Sequence, residues 1–170
     1  MEATDSQLRA GLEAALGVRR WVIEVAGVAP FESLDELLHV ARTAATPLRP
    51  SEIEEALAHH PRIGEQASGE GAAAAHSRRE QAAIGDDREA DAGDAELSEA
   101  LAAGNVEYEA RFGRVFLIRA AGRTRAEILD ELSRRLALDD ATELEIVGEQ
   151  LREIAMLRLA TTFGSKEDSL

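Results

Sequence analysis

Apolar positions in this chain recur at intervals of three and four residues along most of its length, the signature of helices that each turn one face inward. The pattern predicts a helix over residues 6–16 and another over 19–26, separated by Gly17 and closed by Gly27 and Pro30. Ser/Thr-x-x-Glu boxes, in which a hydroxyl and a carboxylate satisfy the free N–H groups of a helix start, stand at 33–36, 51–54, 77–80, 124–127 and 142–145. Thr46-Pro47 and Arg49-Pro50 form the joint between the first two of these helices. The second runs up to Leu57 and stops near His60, because Pro61 disfavours helical geometry in the residue before it. A loop is expected over 64–71, a short helix from Ser77 to Gly85, and an acidic, solvated stretch over 86–94. A longer helix follows over 95–111, with Leu97, Leu101, Val106 and Ala110 as its inward positions, and Gly113 interrupts it. Residues 115–118 are the only strand-like run, too short and too solitary for a sheet. Helices then run from Thr124 through Leu136 and from Thr142 to near Gly164. Together these predict an all-α bundle of about eight helices in a single domain over residues 1–170, with 1–4 and 165–170 as frayed tails.

Composition agrees with helix and narrows function. Apolar residues make up 45% and charged residues 31%, the balance of a soluble globular protein. A formal charge of −14 makes nucleic acid and anionic membranes poor partners, since both need a basic surface. The absence of cysteine removes disulfides, thiolate metal sites and a cysteine nucleophile. No apolar run approaches the roughly 20 residues of a membrane span, and the acidic start lacks a signal-like apolar core, so a cytoplasmic location is expected. Of 19 basic residues the only lysine is Lys166, in a polar tail, which leaves Schiff-base chemistry without its amine.

Two places then stand out for chemistry. In His59-His60-Pro61-Arg62-Ile63-Gly64 a group that titrates near neutrality sits at an element end beside a stiff residue, a suitable place for an acid or base. The same imidazoles can also simply complement a helix C-terminus. In the last helix the apolar stripe Leu144, Val147, Leu151, Ile154 is continued by Arg158, so a guanidinium faces inward. It either meets an anion, from the protein or from a ligand, or lets its head reach water or carbonyls near the helix end. Ser77 and Glu80 read first as one more capped helix start, although such a start also presents N–H groups and a hydroxyl to an anion. The histidines, His39, His59, His60 and His76, show neither His-x-x-x-His nor His-Glu-x-x-His spacing, and no metal or other cofactor is expected.

In order along the chain stand Pro30-Phe31, His60-Pro61-Arg62-Ile63-Gly64, Ser77-x-x-Glu80-Gln81, Asn105-x-x-Tyr108-x-x-Arg111-Phe112-Gly113, Phe116-Leu117-Ile118 and Leu157-Arg158-Leu159. With these segments the chain resembles the 2-oxo-4-hydroxy-4-carboxy-5-ureidoimidazoline (OHCU) decarboxylase family of uric acid breakdown, a family of single all-helical domains. The resemblance implies a cofactor-free decarboxylase that forms (S)-allantoin from OHCU, with His60 as catalytic imidazole and Glu80 as its carboxylate partner. It implies Ser77, Gln81, Arg158 and the backbone at Phe116, Leu117 and Ile118 as substrate contacts, Pro61 as a pocket wall, and a homodimer. His59 beside His60, and His76 before Ser77, are additions to the family pattern. Two other classes fit the composition: a non-catalytic helical interaction module, which gives no reason for an inward arginine, and a metal-assisted amidohydrolase of a related ureide.

Overall fold

The computed structural model of the chain describes residues 3–58, 60, 63, 75–76 and 91–164, with the backbone alone over 91–94. Among these residues it is all-helical, with seven helices: α1 Asp5–Ala15, α2 Arg19–Ala26, α3 Leu34–Ala44, α4 Pro50–Leu57, α5 Asp91–Phe112, α6 Arg125–Leu136 and α7 Asp140–Gly164. They fall into two compact units, Met1–His59 with Gly148–Leu170, and His60–Val147. No helix among the described residues is long and apolar enough to cross a membrane. The loop expected over 64–71 and the short helix expected from Ser77 to Gly85 lie outside the described residues, as does the third capping box.

In the first unit each helix begins where a side chain can satisfy its free amides. Thr4 caps α1: its hydroxyl accepts the Gln7 N–H at 3.2 Å, while the Gln7 side-chain Oε1 accepts the Thr4 N–H at 3.0 Å. Ser33 caps α3 by accepting the Glu36 N–H at 3.1 Å, but the Glu36 carboxylate turns one residue further back, to the Glu32 N–H at 2.7 Å. The expected start of α4 at the 51–54 box is corrected: the helix opens at Pro50, and Glu52 accepts the Arg49 N–H at 2.8 Å. Proline has no amide to satisfy and its φ is already helical, so Pro50 takes the first position and displaces Ser51 from the cap. Buried Trp21 of α2 donates its indole N–H to the Ala41 carbonyl of α3 at 2.8 Å, joining the two helices through their apolar faces.

The second unit is built on α5 and α6. Their core comprises Leu101, Tyr108, Phe112, Phe116, Ile118, Ala120, Ile128 and Leu132, joined by Ile63 from the segment ahead of α5. The inward face expected for α5 needs correction. Val106 is 66% exposed and Ala110 is also at the surface, whereas Leu101, Asn105, Tyr108 and Phe112 point inward, spaced four, three and four. Polar Asn105 and Tyr108 disguise that stripe in a hydropathy reading. Among the described residues the helix already includes 91–94, the end of the acidic stretch. It ends at Phe112, followed by Gly113 at φ +68°, a conformation that glycine adopts without steric cost. Gly104 serves close packing instead. A Cβ there would come within 2.5 Å of Leu132 Cδ2, so its hydrogen lets α5 and α6 approach closely. Residues 115–120 are neither helix nor strand, in line with a run too solitary for a sheet. The 124–127 box caps α6 as expected, Thr124 accepting the Glu127 N–H at 3.2 Å and Glu127 accepting the Thr124 N–H at 2.8 Å. The 142–145 box does not start α7. The helix begins two residues earlier, because Asp139 accepts both the Thr142 N–H at 3.0 Å and the Thr142 hydroxyl at 2.8 Å.

Glu52 generates a prediction about acid stability. Arg20 Nε and Nη2 donate to its two oxygens at 2.7 and 2.9 Å, and hydrogen bonding to Arg20 is the main reason its pKa is lowered to about 2. The native state therefore binds this proton less readily than the unfolded chain. Stability from Glu52 is fully present above the ordinary carboxylate pKa of 4.5 and is lost as pH falls from there through about 2. Urea midpoints measured between pH 5 and pH 2 should fall less steeply in Glu52→Gln than in the parent protein.

Candidate active site

His60 lies just beyond the C-cap of α4 at Ala58, in non-helical backbone and partly buried, as expected of a residue preceding proline. Three residues on, Ile63 is buried in the second core, and its carbonyl accepts a hydrogen bond at 3.1 Å from the side-chain amide of buried Asn105. A direct bond from helix α5 therefore fixes the backbone at Ile63, three residues beyond the imidazole. Pro61, Ser77, Glu80 and Gln81 lie outside the described residues. Among the described residues no three His, Asp or Glu side chains converge as a metal ion would require.

Phe116, Leu117 and Ile118 are all buried, Phe116 and Ile118 in the apolar core, and a charged cluster meets the Phe116 ring and the Leu117 carbonyl. Arg135 and Glu143 have fully buried side chains. Arg135 Nε donates to the Glu143 oxygens at 2.9 and 3.0 Å, and its Nη2 donates to Oε1 as well. The remaining arm, Nη1, donates to the Leu117 carbonyl at 2.7 Å. The Tyr108 hydroxyl donates to Glu143 Oε1. Burial foremost, then the hydrogen bond to Glu143, raises the Tyr108 phenol far above its usual range, so it stays neutral and donating. The guanidinium also lies 4.7 Å from the centre of the Phe116 ring, which meets Tyr108 edge-on at 5.2 Å. Charge, donors and acceptors are matched within the cluster, as burial of an ion pair requires.

Arg158 belongs to the first unit and is 3% exposed, as the inward stripe predicts. Its Nη1 lies 3.4 Å from both the Ala14 and Ala15 carbonyls, the last two of α1, where a cation meets the negative end of a helix. Leu144, however, is only half-buried, and the inward position ahead of Val147 belongs to Glu143.

Sequence reasoning named Asn105 and Tyr108 only within a segment that carries the resemblance, and gave no role to them, to Arg135 or to Glu143. The signal that selected Arg158 was also present in α6, where Ile128, Leu132 and Arg135 are spaced four and three and all face inward. Nothing comparable marked Glu143, which sits in a first helical turn where a carboxylate is ordinarily a solvated complement to the dipole.

A family model described as OHCU decarboxylase matches residues 2–160. The uric acid degradation bifunctional protein TTL of Arabidopsis thaliana is 42% identical over 66 residues, which are 39% of this chain and only 20% of that protein. A crystal structure of OHCU decarboxylase in the presence of (S)-allantoin superposes with a TM-score of 0.72 at 26% identity, covering 95% of this chain and 99% of the other. A crystal structure of (S)-allantoin synthase shares the fold at 15% identity, with a TM-score of 0.62 over 94% of this chain and 51% of that one.

The charged cluster predicts how single substitutions behave. Arg135→Leu strands a buried carboxylate and should cost about 3–5 kcal/mol of unfolding free energy. Tyr108→Phe removes one of the carboxylate's donors and should cost about 1–3 kcal/mol. Urea denaturation of the two variants should place them in that order.

Proposed function

The chain belongs to the OHCU decarboxylase family, and from that membership we propose that it is a carboxy-lyase of uric acid breakdown, converting OHCU to (S)-allantoin and CO2. The observation that carries this reading is the end-to-end likeness to an OHCU decarboxylase whose structure was obtained in the presence of (S)-allantoin. Only a short part of the plant bifunctional protein aligns, and the proposal covers the decarboxylation alone.

In the proposed reaction the C–C bond to the carboxylate breaks, CO2 leaves, and the electron pair passes into the neighbouring ring C=N. The ene-like intermediate then takes a proton on one face of the ureido-bearing carbon while the hydroxyl on the carbon that lost CO2 gives up its proton and becomes a carbonyl, which gives a single enantiomer. The scheme needs no metal or organic electron sink. His60 is the proposed general acid/base, and Glu80 the group that sets its tautomer and raises its proton affinity. Ser77, Gln81 and the backbone N–H groups at Phe116, Leu117 and Ile118 hold the ring, Pro61 walls it, and Arg158 receives its anionic charge. On a chain of net charge −14 the affinity for an anion has to come from such local donors. The position of His60 off the end of α4, in non-helical backbone and partly buried, supports its role. Homodimeric assembly and a cytoplasmic location are part of the same proposal.

Freshly generated OHCU, followed by circular dichroism for the enantiomer of allantoin, is the direct test of activity. His60→Ala should fold and lose about 10²- to 10⁴-fold in kcat/KM, the usual worth of a general acid/base group. A larger loss in His59→Ala would move the assignment by one residue. Arg158→Lys keeps the charge but loses the planar fork, so calorimetry should find normal folding with about tenfold weaker binding of (S)-allantoin. Full affinity in that variant would remove Arg158 from the binding site.

A further inference from the structure

We propose that the buried Arg135–Glu143 pair is a positioning device for substrate, acting through the Leu117–Ile118 peptide unit. The inference rests on the decarboxylase reading and on the assignment of the 116–118 backbone to the substrate. The Leu117–Ile118 peptide is trans, and in a planar trans unit the carbonyl and the N–H point in opposite directions. Arg135 Nη1 grips the Leu117 carbonyl at 2.7 Å, which aims the Ile118 N–H away from the guanidinium, to the opposite side of the segment.

The grip is stiff because no part of it turns independently. The fork of Arg135 is planar, Nε and Nη2 are spent on Glu143, and Glu143 is also held by the Tyr108 hydroxyl. The same guanidinium lies over the ring of Phe116, the neighbour of Leu117, 4.7 Å from its centre. A donor meant for a developing charge is useful only if its direction is set before substrate arrives. A segment with no helix or strand ladder of its own cannot supply that direction, and Arg135 does.

A purely structural pair and a positioning pair differ in what can replace them. Apolar side chains of similar volume fill the place of a buried ion pair without stranding a charge, but they offer the Leu117 carbonyl no donor. The test therefore compares the parent protein with Arg135→Met/Glu143→Leu and with Arg135→Lys. Lysine keeps the charge for Glu143 but cannot hold the carboxylate and the Leu117 carbonyl in one plane. Three quantities are read: thermal melting, kcat and KM on OHCU, and the Kd for (S)-allantoin. Both variants should melt as folded proteins, the double variant below the parent because the Tyr108 hydroxyl and the Leu117 carbonyl each lose a buried partner, while kcat/KM falls and Kd rises by about tenfold each, the worth of one misdirected hydrogen bond. The pH profile of kcat should keep its shape, since His60 is untouched.

A folded double variant with both constants within about twofold of the parent overturns the proposal. If the double variant does not fold, Arg135→Lys decides by the same criterion. If neither folds, the pair is a requirement of the fold and the proposal fails. A parent protein that neither turns over OHCU nor binds (S)-allantoin sinks the decarboxylase reading itself, before any variant is compared.

Discussion

The second unit depends on one guanidinium that cannot leave. Arg135 is fully buried, and removing its charge from water is tolerable only because Glu143, Leu117 and two aromatic rings surround it. From that requirement follows the local order. α6 must present Arg135, α7 must start early enough for Glu143 to lie in its first turn, and α5 must bring Tyr108 to the same carboxylate. Between them passes the 116–118 segment, which has no regular hydrogen-bonding ladder and borrows a fixed direction from the charge beside it. The interaction works as a constraint on geometry more than as a source of stability, since desolvation consumes most of what the attraction returns.

The first unit solves a related problem more cheaply. Glu52 is buried at a helix start, yet its partner Arg20 remains partly in solvent, so the pair surrenders less hydration. Arg20 reaches across to Glu52, to Glu24 and to the Ala44 carbonyl, so one side chain cross-links α2 with the end of α3 and the beginning of α4. Arg158 follows the same logic with carbonyls as acceptors at the end of α1.

Helix positions were largely legible in the sequence because their cause is local: spacing of three and four, glycine breaks and capping side chains all lie within a few residues. The errors arose where two local signals competed. At Ser51 and Thr142 a sound capping motif lost to a better one just upstream, Pro50 in the first case and Asp139 in the second. The inward face of α5 was misread because Asn105 and Tyr108 are polar, and their burial is made tolerable by Ile63 and Glu143, 42 and 35 residues away. Pairing over such separations leaves no trace in periodicity. His60 was legible because proline acts on its immediate neighbour, and Arg158 because it breaks an apolar stripe. Arg135 breaks one too, but its meaning lay in Glu143, and a lone glutamate in a first helical turn reads as solvated. The roles of the site residues came from resemblance, which orders segments that no local rule connects.

Gly104 gives this arrangement an unexpected point of sensitivity. The space that a Cβ would need there is taken by the Leu132 side chain, so the lack of one sets the separation of α5 from α6. Arg135 follows Leu132 by three residues on α6, and Tyr108 follows Gly104 by four on α5, each about one turn along its helix. The same clearance therefore sets how far the guanidinium stands from the phenol that shares its carboxylate. A single methyl group at residue 104, chemically inert and remote from His60 in sequence, acts as a wedge on the alignment of an ionic lock, so tolerance at that position reports mechanical clearance and not polarity.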